Sequence, residues 1–391
     1  MRNEYRIAKG WCRFIYVTAP FMIALFSWVL YLPFKDGDFA PNYSWLLIPV
    51  ALGMISLMVL GALDAYKSRF IIEEDFIRSV GVFSTKKLNF DEIKGFFIDN
   101  QYIFVESNNT LKKTIKISSY TGGYGEILHW LSQYFTDLDA QNYQEELQDI
   151  LSDESIGDSV NIREEKLIRA RKLAKAVNWA AAISTAWVFF YPNPYQYAII
   201  FTIAVPILAL LVVKLSGNLI RIDEKRGAAN PSVIYAFIFP SLGLLLRAIL
   251  DYEIASYENV WQPTIVIATS IIIALLWKQS EITFKKGIDV VTVGSLYFFL
   301  IGYSYGLVIH YNCYYDKSNA QKYMVEILNK RTSSGKSTTR YLEVSSWGKQ
   351  QDISEVSVGK GFYSRTNVGD NVNVYYRKGN MGIPWYRLSD K

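Results

Sequence analysis

Nucleophiles, metal ligands and buried charges are scarce among these 391 residues, and their positions limit the chemistry they can do. There are two cysteines, Cys12 and Cys313, and two histidines, His129 and His310. Loop charges place each pair on opposite sides of a membrane, which excludes a Cys/His zinc site and an internal disulfide. Gly335-Lys336-Ser337 imitates the end of a phosphate-binding loop, but the glycine required five residues earlier is Lys330 and no strand-to-helix context surrounds it. Thr292-Val293-Gly294 resembles a potassium-filter fragment, yet Ser295-Leu296 follows inside a continuous apolar helix. Hydrolysis would need a nucleophile and a base within reach, and no intramembrane acid pair or histidine cluster supplies them. No catalytic residue, cofactor or metal is expected, and the chain is not expected to be an enzyme.

The remaining ionisable and small residues point to anchoring and packing. Arg247 lies beside Asp251, and Asp289 lies near Lys285 and Lys286, both at the edges of apolar blocks where long side chains snorkel to the interface. Gly302 and Gly306 form a small-xxx-small step, which lets a second helix approach closely. Packing within the chain's own bundle is the favoured use, with a homo-oligomer left open.

The elements that carry these residues are apolar blocks. Hydrophobic residues make up 51% of the chain and are gathered into runs rather than spread at core periodicity. The runs are Phe14 to Phe34, Trp45 to Leu63, Val177 to Tyr191, Tyr195 to Val213, Val233 to Leu246, Val260 to Trp277 and Val290 to His310. Most approach the roughly 20 residues that cross a bilayer, so about seven spans are expected. The first exceeds a signal-peptide core and lacks a small-residue cleavage site, so it should remain as a helix. The third is short and is followed by Pro192-Asn193-Pro194, so the third and fourth together read either as two spans or as a re-entrant hairpin.

Charge orients the blocks. Arg2, Arg6, Lys9 and Arg13 precede the first, Lys214, Arg221, Lys225 and Arg226 follow the fourth, and Lys278, Lys285 and Lys286 follow the sixth. The intervening short loops hold little more than Lys35 and Arg247, and Asp251, Glu253 and Glu258 make one of them acidic. The positive-inside rule therefore puts the N-terminus in the cytoplasm and the last 75 or so residues outside. Thirteen basic and seven acidic residues in that tail do not overturn this, because the rule counts short loops and flanks. The pI of 8.8 reflects this topology, and no nucleic-acid partner is implied.

Five segments follow: 1–66 with two spans, 67–137 as a cytoplasmic insert, 138–176 as linker and basic helix, 177–312 with five spans, and 313–391 as an outer β-domain. In the insert, strand-like runs at Arg69 to Ile72, Phe76 to Phe83, Lys87 to Phe90, Gly95 to Ile98, Tyr102 to Glu106 and Thr114 to Ser118 alternate with turn-prone residues. Ile127, Leu128, Leu131, Tyr134 and Phe135 then recur at helical spacing. Two spans followed by SRFIIEEDFIRSVGVFSTKKLNFDEIKGF and a terminal helix resemble the bacterial pleckstrin-homology-like membrane proteins over Tyr66 to about Asp137. The resemblance implies a bent antiparallel β-barrel capped by one helix, and no activity. Phosphoinositide-binding relatives use basic residues around the first hairpin, whereas here the turn reads Glu73-Glu74-Asp75.

Lys86, Lys87, Lys112, Lys113 and Lys116 are candidate headgroup contacts in the insert, although solvated strand-edge lysines are the favoured reading. Arg169, Arg171 and Lys172 are further candidates. They belong to a basic segment, Arg163 to Lys175, that reads equally as an interfacial amphipathic helix or as a cytoplasmic extension of the third span. The acidic stretch before it reads as linker.

In the tail, Lys322 to Asn329, Thr339 to Val344, Ile353 to Val358 and Val372 to Arg377 read as strands of a small barrel of OB or SH3-like type. Val368-Gly369-Asp370 through Tyr376 resembles extracytoplasmic β-domains of bacterial membrane proteins. Tyr375, Tyr376, Trp385 and Tyr386 are expected in its core.

The expected whole is a non-catalytic inner-membrane scaffold, assembly or envelope-stress component. Its partners would be membrane lipids and other membrane or envelope proteins. A transporter is the alternative, and an intramembrane enzyme ranks last. Pro49, Pro206 and Pro240 are candidate helix breaks for transport, with no polar partner evident beside them.

Overall fold

The computed structural model describes residues 4–35, 41–109, 114–279, 281–284, 287–334, 338–348 and 352–389. The chain divides into two compact units, Met1–Glu146 and Leu147–Lys391.

The first unit begins with a short strand, β1 (Glu4–Arg6), and a helical hairpin, α1 (Lys9–Lys35) and α2 (Pro41–Lys67). Strands β2 (Arg69–Ile72), β3 (Phe76–Val80) and β4 (Thr85–Asn89) follow, then β5 (Ile93–Asp99), β6 (Tyr102–Ser107) and β7 (Ile115–Ser118). They form a four-stranded sheet ordered β1-β2-β3-β4 and a three-stranded sheet ordered β5-β6-β7, both antiparallel. Helix α3 (Tyr124–Tyr134) places Ile127, Trp130 and Leu131 into the core that both sheets share. β1 was not anticipated, since three residues of a charged tail carry no readable period. Its pairing with β2 buries Tyr5 to 1% exposure, which gives the tail an apolar anchor in that core.

The acidic stretch expected to be linker instead contains α4 (Leu138–Ser152). Asp137 starts it: its Oδ1 accepts from the N–H groups of Asp139 and Ala140 at 2.9 and 3.2 Å, satisfying first-turn donors.

The second unit holds α5 (Val160–Phe190), α6 (Tyr195–Leu215), α7 (Tyr235–Asp251), β8 (Glu253–Ile254), α8 (Trp261–Leu276) and α9 (Gly287–Tyr314). The basic segment is part of α5, so it continues the third apolar block rather than forming a separate helix. Of the seven apolar blocks, five lie in helices long and apolar enough to cross a membrane: α1, α2, α5, α6 and α9. α7 and α8 have 17 and 16 residues, about 26 and 24 Å at 1.5 Å per residue, short of a full hydrocarbon layer.

Gly306 sets a close helix crossing. A Cβ there would stand 2.6 Å from Leu244 Cβ and 2.8 Å from the Leu244 carbonyl oxygen, so the backbones of α9 and α7 meet with no room for a side chain between them. Gly302 lies one turn earlier against Leu245. The helices run through Pro49, Pro206 and Pro240. Contrary to expectation, Pro206 has polar company: the Tyr303 hydroxyl donates to the Ile203 carbonyl at 2.7 Å, and the buried Thr202 hydroxyl donates to the Ala198 carbonyl at 2.8 Å.

After α9 come β9 (Gln321–Ser334), β10 (Thr338–Val344), β11 (Ser354–Val358), α10 (Lys360–Arg365), β12 (Asn371–Arg377) and β13 (Trp385–Ser389). The sheet order is β11-β10-β9-β12-β13-β8, six antiparallel strands that close nearly into a barrel. Val325, Leu342, Val356, Val372 and Val374 fill it, with Trp347 edge-on to Tyr376 and Tyr386. Tyr376, Trp385 and Tyr386 are buried and Tyr375 is half-buried.

The expected boundary at 313 is therefore incomplete, because β8 comes from the α7–α8 connection and pairs with β13 at Ile254↔Trp385 and Glu253↔Tyr386. Asn312, fully buried near the end of α9, reinforces that join. Its Nδ2 donates to the Ile383 carbonyl at 2.8 Å, and its Oδ1 accepts from the Met381 N–H at 2.9 Å. Gly379, at φ +77°, leaves the space Asn312 needs. Asp316 Oδ2 accepts from the Trp385 indole N–H at 2.8 Å and the Gly379 N–H at 3.0 Å. Burial opposes ionisation of Asp316, yet these bonds and those from Ser318 hold its carboxyl below the usual value. Asn312→Leu should cost about 2–4 kcal/mol, since several buried backbone groups lose partners. Thermal unfolding in detergent checks this, and protease nicking near residues 379–383 should rise with it.

Candidate functional site

Positive charge and cavities coincide on the N-terminal half of α5. The Ser159 hydroxyl oxygen caps the helix, accepting from the Ile162 N–H at 3.4 Å. Arg163 is 7% exposed and reaches back: its Nε donates to the Gly157 carbonyl at 2.6 Å and its Nη1 to the Leu151 carbonyl at 2.5 Å. A cation thus sits on the Leu151 carbonyl in the last turn of α4, where the helix dipole favours it, and on the Gly157 carbonyl beyond it.

Beyond Arg163 the basic side chains divide by face. Arg171, Lys175, Asn178 and Ala182, at helical spacing, line a cleft of about 420 Å³ with Trp179, Pro231 and Tyr235. On another face Lys166, Arg169 and Leu173 line a cleft of about 430 Å³ with Leu215 and Gly217 at the end of α6. Arg169 also pairs with Glu165 at 2.6 Å, an exposed i,i+4 pair of small energetic weight. Lys172 is exposed, as are Lys175 and Trp179. Each cleft offers an apolar floor under ammonium or guanidinium groups, the arrangement that suits an anionic amphiphile.

The far wall of the first cleft is the connection from α6 to α7, and polar groups fasten it. Arg171 donates from Nη2 and Nε to the Ala229 carbonyl at 2.9 and 3.2 Å. Asn178 uses both ends of its amide, donating to the Ser232 carbonyl at 2.8 Å and accepting from the Ala236 N–H at 3.1 Å. From the α8–α9 connection, Glu281 accepts from the N–H groups of Ile222 and Asp223 at 2.8 and 3.0 Å. Asp223 in turn accepts from the Thr292 hydroxyl at 3.0 Å. Burial pushes the Glu281 carboxyl up from its ordinary 4.5, while the two N–H groups and Arg221 act in the opposite direction.

Three of the five lysines singled out in the first unit are already engaged. Lys86 donates to the Thr114 carbonyl at 2.8 Å, Lys87 stands 3.6 Å from the centre of the Phe76 ring, and Lys116 stands 3.6 Å from that of Tyr102. Lys112 and Lys113 lie outside the described residues, as do Lys285, Lys286 and Gly335-Lys336-Ser337. Arg78 pairs with Glu73 at 2.8 Å beside the acidic turn. Arg169, Arg171 and Lys172 share one helix, but the clefts add Lys166, Lys175, Asn178 and Trp179, which sequence reasoning did not single out. An asparagine followed by a tryptophan at the polar edge of an apolar block was the available signal.

Cys12 and Cys313 are free. Among the described residues no group of three or more His, Cys, Asp or Glu side chains is placed to hold a metal ion. No protein-family model matches the chain, and no curated protein or solved structure is significantly similar to it.

Because the Glu281 carboxyl is raised in the folded state, folding binds a proton more tightly than the unfolded chain does. Its contribution to stability is therefore greatest at low pH and is lost as pH rises from about 4.5 through the raised value. Glu281→Gln should flatten the dependence of Tm on pH above 4.5, measured in detergent between pH 4.5 and 8.

Proposed function

We propose that this chain is a non-catalytic, multi-pass protein of a bacterial inner membrane that presents a β-domain on each face. It acts as a scaffold, assembly or envelope-stress component, and its partners are membrane lipids and other envelope proteins. The first unit's two sheets and closing helix are read as the pleckstrin-homology-like domain, on the cytoplasmic side. The near-closed six-stranded sheet is the outer domain.

One observation carries the reading: in each unit one sheet takes a strand from across a pair of helices. β1 precedes α1 and β2 follows α2, yet they pair, so both ends of that hairpin share a face. β8 lies between α7 and α8 and pairs with a strand that follows α9, so the acidic connection and the C-terminal sheet share a face. With α7 and α8 counted as spans, the chain crosses an odd number of times. Their shortness is met by local thinning and by Arg247, which reaches Asp251 at 2.6 Å and anchors at the interface.

A phosphatase that is active only outside the cytoplasm, fused after Lys391, should be active, and a fluorescent protein that matures only in the cytosol should glow when fused before Met1. Cytosolic behaviour of the C-terminal fusion would overturn the topology, and saturable solute uptake into proteoliposomes would overturn the scaffold reading. For the lipid partner, Lys172→Gln and Lys175→Gln should each lower retention of phosphatidylglycerol over phosphatidylcholine about fivefold in native mass spectrometry. Lys116→Gln should not, since its ammonium is held over Tyr102.

A further inference from the structure

Where the helical hairpin of the first unit meets its four-stranded sheet, two clefts of about 450 and 810 Å³ open, and Arg6 and Tyr66 line both. A single row of cross-strand neighbours contributes to the smaller one. Arg6 pairs with Arg69, Arg69 with Val80 and Val80 with Thr85, so all four side chains share one face at one end of the sheet. The adjacent pair, Tyr5 and Phe70, is buried in the core, which turns Arg6 and Arg69 outward.

Two arginines directly opposite each other repel. Glu4 offsets one of them, accepting from Arg6 Nε at 2.8 Å and standing 3.6 Å from Arg69 Nη1. Lys67, the last residue of α2, adds a third cation to the cleft and makes no hydrogen bond or ion pair among the described residues. No acidic residue is among those that line the cleft, so three cations against the one carboxylate beside them leave two positive charges for a ligand. The exposed Ser84 and Thr85 hydroxyls also line it and can donate.

Exposed apolar groups stand beside these charges. The Gly81 N–H donates to the Ser84 carbonyl at 2.9 Å, which closes the β3–β4 hairpin over a tip of Val82 and Phe83. Phe83 is 82% exposed and Tyr66 74% exposed, while α2 ends at Lys67 after a stretch long and apolar enough to cross a membrane. Tyr16 and Tyr66 share the larger cleft with Lys9 and Arg13. Rings and cations side by side at the end of such helices match the chemistry of a membrane–water interface.

We infer that the smaller cleft holds the phosphate of an anionic phospholipid, with Arg6, Lys67 and Arg69 around it and Ser84 and Thr85 donating to it, and that the Val82-Phe83 tip enters the leaflet beside it. A soluble anion would satisfy the charges and leave Phe83 and Tyr66 in water. A zwitterionic lipid would bring its own ammonium to a site already two charges positive. The inference rests on the reading of α1 and α2 as membrane spans, but neither on which side of the membrane the first unit lies nor on the clefts beside α5.

Position 83 itself provides the test. In full-length Phe83→p-benzoylphenylalanine protein, in nanodiscs of equimolar phosphatidylglycerol and phosphatidylcholine, irradiation should yield lipid adducts in which phosphatidylglycerol exceeds phosphatidylcholine about tenfold by mass spectrometry. Adding Lys67→Gln should lower that ratio about fivefold and Lys67→Arg should keep it, whereas Lys116→Gln, on the three-stranded sheet, should leave it unchanged. Absence of lipid adducts would leave the cleft to a soluble anion and overturn the inference. Adducts in equal proportion, or a ratio that Lys116→Gln lowers as far as Lys67→Gln does, would reduce the site to general attraction of charge and overturn it too. The reporter fusions and the native mass spectrometry of the α5 variants test the broader reading separately, since neither is read at residue 83.

Discussion

A two-residue strand pairing carries more of this architecture than any other contact. β8 contributes only Glu253 and Ile254, yet it completes a sheet whose other strands all follow α9. Backbone hydrogen bonds make the join, and buried side chains hold it. Asn312 spends its amide on the turn before β13, Asp316 takes the Trp385 indole, and Ile383 and Trp385 pack with Val260, Val308 and Ile309 from the helices. Because the polar atoms of Asn312 are satisfied only when the turn is seated, a loose sheet would leave buried groups unpaired, and that penalty locks the sheet to the bundle.

The first unit uses the same device on a smaller scale. β1 is three residues long and would not persist as an isolated strand, but Tyr5 enters a core with Phe70, Ile77 and Ile127. The N–H groups of Ala8 and Gly122 bond to the carbonyls of Tyr120 and Arg6 at 2.8 and 2.7 Å, which closes the chain between β1 and α1. Helical segments whose own backbone bonds are internally satisfied can be joined to β-domains only where the chain leaves the helix. Both units make that join by lending a strand across a helical hairpin or bundle.

Inside the bundle, polarity is kept and spent locally. Thr202, Ser241 and Thr264 are buried, and each donates its hydroxyl to a carbonyl one turn back in its own helix. Tyr303 crosses from α9 to α6 beside Pro206. Thr185 Oγ1, Ser304 Oγ and His310 Nε2 depart from this economy, being buried without a hydrogen-bond partner. At the other end of α5, Asn178 and Glu281 hold the α6–α7 connection against the clefts, so the basic side chains around them work from a fixed wall.

The sequence by itself determined where the helices lie, because runs of Leu, Ile, Val and Phe near 20 residues long have only one way to satisfy their backbone in an apolar medium. It determined most strands as well, from Arg69–Ile72 to the Val372, Val374, Tyr376 alternation, since period-two patterns are local. It was not read for α4, although Tyr143, Leu147, Ile150 and Leu151 recur there at helical spacing among acidic residues, and it could not reveal β1 and β8, which are too short to have a period. Nor did it reveal which basic residues face a cavity: Arg171 and Lys172 are neighbours in the chain, yet only one lines a cleft. Those features were decided by tertiary structure, because strand addition and helix-face assignment depend on residues tens to more than a hundred positions away.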